Sequence, residues 1–148
     1  MPGYMSHQYQ REHMTEDSYL ARTWMGLQWS AWMPLMAAHP LALAQLPSEP
    51  GLYRVRRANS LRRLEQIGWA RRGVREMVER LSRQIHLPVE PFDDPQSPAL
   101  ALWLLRRSSA VAFEVSGAAL VVPDEEGWAT RRRLWEAYRS AISHEHTD

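Results

Sequence analysis

The sequence contains no cysteine, which excludes a disulfide framework, a thiolate metal site and a cysteine nucleophile. It contains no lysine either: all 18 basic residues are arginine. The cationic surface is therefore built from planar donor forks suited to phosphate and carboxylate rather than from point charges. Long hydrophobic runs are missing, because Pro34, Pro40 and charged residues break the apolar stretches well short of the ~20 residues a spanning helix needs. The start of the chain lacks the basic-then-apolar pattern of a signal peptide. These absences lead to the expectation of a soluble, cytoplasmic protein with no membrane partner. No phosphate-binding glycine loop, nucleophile elbow or internal repeat is visible. His144 and His146 stand at a polar chain end without a second ligand cluster nearby, so no metal site is expected there.

What is present suits a single domain. The chain has 148 residues, 45% of them hydrophobic, enough for a core of ordinary size. The net charge of +1 hides an asymmetry. Residues 51 to 107 are strongly basic, and both flanks are acidic. An anionic partner is expected to meet the middle third.

Periodicity divides the chain into four parts. Residues 1–18 are polar and aperiodic and read as a flexible arm. Residues 19–46 carry Trp24, Trp29 and Trp32 with interrupting prolines, and read as short helical pieces packed over the rest. Residues 47–142 form the main domain, and 143–148 a flexible tail. Within the domain, Leu52 to Ala58 alternates as a strand, Asn59-Ser60 suits a turn, and Leu61 to Trp69 can return as a second strand. From Gly73 the apolar residues Val74, Met77, Val78, Leu81 and Ile85 take helical spacing. His86 at the end of that helix suits its negative pole. A proline-rich loop over 87–98 precedes a short helix over 99–107. Ala110 to Val122 reads as a central strand, with Gly117 marking a bulge or close approach. A last helix follows from about Trp128 to Ile142, with Asp124, Glu125 and Glu126 before it. The fold class is α/β in the α+β sense, a small three-stranded antiparallel sheet flanked by helices.

The order hairpin, helix, loop, helix, strand, helix, together with Gly51-Leu52-Tyr53, Gln66-Ile67-Gly68 and Leu134-Trp135, resembles the GIY-YIG nuclease family over residues 46 to 140. The resemblance implies two motifs on adjacent antiparallel strands, a helix arginine, and a glutamate holding one divalent metal for phosphodiester hydrolysis. Tyr53 keeps the first motif tyrosine. Gln66 replaces the second, which removes an ionisable phenol and leaves an amide. Met77 falls in the arginine position, and Arg75, about 200° away around the helix, cannot simply replace it. Arg131 falls where the metal glutamate is expected. A guanidinium has no lone pair for a metal, so metal-dependent cutting is not expected.

Between Arg54 and Arg83 stand ten arginines and three glutamates. Arg54, Arg56, Arg71, Arg72 and Arg75, with Arg131, are the candidate nucleic-acid or anion-binding residues. Arg131, Arg132 and Arg133 have a competing use in pairing with Asp124, Glu125 and Glu126. The leading reading is a catalytically degenerate domain that binds nucleic acid or a protein partner without cleavage. One alternative is a small-molecule enzyme in which Tyr53 and Gln66 wall the cleft and Arg131 holds an anionic substrate. The other is an active endonuclease with relocated catalytic groups. No cofactor is expected, magnesium or manganese entering only with that last reading.

Overall fold

Alternation along residues 51–57 gives a strand two different faces, and both faces are covered. The computed structural model describes residues 18–36, 40–59, 63–90 and 92–146. Its strands are β1 (Met33–Pro34), β2 (Gly51–Arg57), β3 (Leu64–Ala70) and β4 (Phe113–Ala119). Its α-helices are α1 (Pro40–Leu43), α2 (Val74–Ile85), α3 (Pro98–Ser109) and α4 (Asp124–His146). The strands form one antiparallel sheet in the order β1-β4-β2-β3.

Tyr53 and Val55 point to one face, where Val74, Val78, Leu81 and Ile85 of α2 and Ala99 and Leu102 of α3 close a core with Phe113 and Val115. Leu52 points to the other, where Tyr19, Trp24 and Trp29 of the N-terminal extension join Ile67, Ala118, Leu134 and Tyr138 in a second core. The two cores explain how a short chain seats so many tryptophans. Trp24 and Trp29 stack at 6.0 Å, and the Trp29 indole donates to the Trp24 carbonyl at 3.0 Å, so burial leaves its polar end satisfied.

Several expectations need correction. The sheet has four strands rather than three, because Met33–Pro34 adds to the edge of β4. Proline is tolerated there, since an edge strand need not donate outward. The extension is not a run of helical pieces alone. It holds two short 3-10 turns, Ser18–Leu20 and Trp24–Gly26, a bridge from Trp29 to Ala118, β1 and the single turn of α1. The last helix starts at Asp124, so the three acids occupy its first turn, where they complement the helix dipole from within. Gly117 sits in register opposite Tyr53, and the irregularity lies between Val55 and Arg56. Gly117 is instead a close approach: a methyl there would stand 2.5 Å from Val74 Cγ1. The arm over 1–17, Leu61, and the side chains of His144 and His146 lie outside the described residues. No helix among the described residues is long and apolar enough to cross a membrane.

Two local features hold the elements around β3. Gly73 caps α2 with φ at +143°, and a side chain there would also meet the Ser48 carbonyl at 2.6 Å. Tyr138 of α4 accepts from the Leu64 backbone N–H at 2.8 Å and donates to its carbonyl at 3.1 Å. A helix side chain thus satisfies backbone groups of an edge strand, fixing α4 alongside β3.

Candidate functional site

The pairing of β2 with β3 sets Tyr53 opposite Gly68, and the glycine allows the tyrosine to lie across it. A methyl at Gly68 would come within 2.2 Å of the Tyr53 ring and 2.4 Å of its hydroxyl. The aromatic ring therefore occupies the volume that a side chain on the neighbouring strand would need. Beyond it opens a cleft of about 390 Å³. Its floor is β3, one wall is the start of α3, and the other is Trp128 and Arg131 of α4. Tyr53, Gln66 and Arg131, singled out in the sequence at separate places, all line this one cleft.

Each of the three is held differently. Gln66 donates from Nε2 to the Pro98 carbonyl at 2.7 Å. That carbonyl can only accept, so it fixes which end of the amide is which. The Gln66 Oε1 is left buried without a partner among the described residues. Arg131 donates from Nε to the Ile67 carbonyl at 2.8 Å, and its guanidinium carbon lies 5.1 Å from the Trp128 ring centre. One nitrogen and one face are engaged. The two terminal nitrogens of Arg131 make no hydrogen bond or ion pair with the described residues. Tyr53 is almost wholly buried. Burial pushes its phenol well above the usual tyrosine range, and the nearby Arg131 charge offsets this only in part. At neutral pH the hydroxyl is a hydrogen-bond donor and a poor base.

Compared with family models, with characterised proteins and with solved structures, this chain matches none.

The chemistry is then read from the residues. Among the described residues no three of His, Cys, Asp and Glu gather in a metal-binding group. Glu136 on α4 and Glu125 near its start are exposed and do not line the cleft. The cleft joins a fixed guanidinium and a neutral phenol, both donors, to one unpartnered acceptor. Such a set receives an anion and hydrogen-bonds a neighbouring donor. The cleft's lining residues include no carboxylate to balance the charge of a hard cation.

The other candidate residues are placed elsewhere. Arg54 is fully buried on the opposite face of the sheet, which overturns its expected anion-binding role. It donates to the Tyr19 carbonyl at 2.7 Å and the Leu20 carbonyl at 3.3 Å, and lies 4.3 Å and 4.6 Å from the ring centres of Trp29 and Trp32. Burial, and secondarily Arg56, push its pKa down to about 9, which leaves it charged at neutral pH. Arg56 pairs with Glu114 at 2.9 Å and stacks on Trp32 at 4.1 Å. Arg75 binds the Leu46 carbonyl through Nε and Nη2, and the Ala44 carbonyl through Nη2, tying α2 to the segment before β2. Met77 packs against the first core. Arg71 pairs with Asp124 at 3.2 Å, both exposed, and Arg72 is exposed with no ion pair to a described residue.

The arginine strip is thus not one continuous free face: Arg54, Arg56 and Arg75 are taken up by carbonyls, a carboxylate and indoles, whereas Arg71, Arg72 and Arg80 stay exposed. Arg57 pairs with Glu65, Arg80 with Glu76 and Arg83 with Glu79. The expected pairing of Arg131, Arg132 and Arg133 with Asp124 to Glu126 is also absent among the described residues, since Asp124 faces Arg71 and Arg133 binds Thr130. His86 sits as expected at the end of α2, its Nδ1 meeting the Ser82 carbonyl at 2.6 Å. Sequence reasoning missed Pro98, Leu104 and Trp128. The signal available for Trp128 was a large aromatic within the acidic, polar first turns of a helix.

Proposed function

We propose that the cleft between α3 and α4 binds the phosphate group of a nucleotide or nucleic acid, and that the chain holds this phosphate without metal-dependent hydrolysis. One observation carries the reading. Arg131 is anchored through Nε and Trp128 and lines the cleft that holds Tyr53, with both terminal nitrogens unbonded to any described residue. A guanidinium restrained in this way loses little further entropy when it closes a bidentate contact on phosphate. Trp128 and Leu104, both more than half exposed, border the same cleft from α4 and α3. They supply apolar surface for a flat ring attached to the anion.

The resemblance to GIY-YIG nucleases gains support from the register that sets Gly51-Leu52-Tyr53 against Gln66-Ile67-Gly68. It also explains why a phosphate would be the anion received. The reaction is not carried over, because a neutral phenol and a cation stand where a base and a metal ligand would be needed.

The test has two parts. Supercoiled DNA incubated with the protein and magnesium or manganese stays intact. Thermal melting with a nucleoside monophosphate shows stabilisation, about 2.7 kcal/mol at roughly 100 times Kd. Arg131→Gln removes the stabilisation. Metal-dependent nicking that disappears in Tyr53→Phe would overturn the non-cutting reading.

A further inference from the structure

We infer that the ligand is a single-stranded nucleic acid, and that it continues from the Arg131 cleft into a second phosphate subsite lined by Arg71, Arg72 and Arg80. This rests on the reading of the cleft as a phosphate site and extends it along the molecule.

The second subsite is a basin of about 250 Å³ where β3 turns into α2. It shares Trp69 with the cleft, so the two hollows meet along one strand end. Gly68, in the floor of the cleft, and Arg71, at the rim of the basin, are three residues apart, at most ~10 Å of extended chain. A mononucleotide in the cleft cannot reach that far with its one phosphate, whereas the next nucleotides of a strand can.

The charges in the basin are available. Arg72 has no ion pair with a described residue. Among the described residues Arg71 is held only by Asp124 across an exposed 3.2 Å contact, and Arg80 only by Glu76 at 3.4 Å, also exposed. Exposed pairs of this kind hold their partners weakly, so a phosphate can compete for both arginines. Glu76 is the carboxylate among the lining residues, and Asp124 reaches the basin through its pair with Arg71. With three guanidinium groups against two carboxylates, the basin keeps a cationic surplus.

The preference for a single strand follows from the cleft. The apolar groups at its rim, Trp128 and Leu104, need an unstacked base face, which a duplex hides. The one aromatic among the basin's lining residues, the shared Trp69, is partly buried against the second core, so the basin takes the backbone alone.

Fluorescence anisotropy at two or more salt concentrations tests this with thymidine 5′-monophosphate as competitor and labelled single-stranded octathymidylate as ligand. The octamer binds at least about tenfold tighter than the monophosphate at low salt. The double variant Arg72→Gln, Arg80→Gln brings the octamer down to the affinity of the monophosphate and leaves the monophosphate unchanged. Its log affinity against log salt also becomes shallower, by ~0.7 for each lost phosphate contact. An octamer that binds no tighter than the monophosphate, or one indifferent to the double variant, overturns the second subsite while the cleft reading stands. A duplex of the same length, or hexaglutamate, that binds as tightly as the octamer overturns the single-stranded assignment. Failure of both monophosphate and octamer to bind the unmodified protein overturns the cleft reading and this inference together.

Discussion

Of the arginines that stand against tryptophans, Arg54 lies beside the second core under the N-terminal extension and Arg131 lies at the edge of β3, and their surroundings separate structure from binding. Arg54 is sealed under the N-terminal extension, with Trp29 and Trp32 on its faces and two carbonyls on its terminal nitrogens. Arg131 is anchored by Nε and by one tryptophan, with its terminal nitrogens open to a cleft. The first guanidinium is spent on tying residues 19 and 20 to β2. The second is positioned and still has donors to offer. A count of arginines along the sequence does not distinguish these cases. What distinguishes them is where each set of donors ends.

The sharpest way to break the comparison is to remove the sealed arginine. Arg54→Ala takes the guanidinium donor from the buried Tyr19 carbonyl, leaves the Leu20 carbonyl with the Trp32 indole alone and opens a gap between two indoles, and is expected to cost about 3–5 kcal/mol in chemical denaturation. A loss under about 1 kcal/mol would show that the extension is not held by this residue. Next in size is Gly68→Ala, whose methyl must displace the Tyr53 ring from 2.2 Å. The expected cost is about 1–3 kcal/mol, with reduced binding in the cleft, read by melting with and without nucleotide. Arg131→Gln inverts the pattern. Stability falls by about 1 kcal/mol for one lost hydrogen bond, while phosphate binding is lost.

Smaller effects sharpen the contrast further. Removing the exposed Arg71–Asp124 pair by Asp124→Ala shifts stability by ~0–1 kcal/mol, and frees Arg71 for an anion. For Tyr53 the folded pKa is raised above the ordinary value of 10.0, first by burial. Its neutral form is therefore favoured by folding, and the contribution to stability is present below pH 10 and lost as pH rises above it. Ultraviolet titration near pH 10 is expected to show no difference in ionised tyrosine between the folded protein and Tyr53→Phe.

Much of this arrangement was legible in local pattern. Alternation found β2, and three-and-four spacing found α2. The resemblance to the GIY-YIG motifs, rather than any period, singled out Tyr53, Gln66 and Arg131, which line one cleft. What stayed hidden depends on distant packing. Alternation places Arg54 and Tyr53 on opposite faces but cannot tell that residues 19–32 will cover the Arg54 side. The two residues of β1 carry no period at all, and exist because the edge of β4 offers them partners. The partners of Arg56 and Arg71, Glu114 and Asp124, lie more than fifty positions away in the chain, so their neutralising effect could not be read along it. Pro98 read as a loop end, yet its carbonyl orients Gln66.

Calorimetric titration of thymidine 5′-monophosphate and of thymidine into the unmodified protein and Arg131→Gln tests the central claim most directly. The account predicts that the monophosphate binds the unmodified protein, that thymidine binds far more weakly, and that Arg131→Gln reduces the monophosphate to the level of thymidine. Equal binding of the two ligands, or unchanged monophosphate binding by Arg131→Gln, would contradict it.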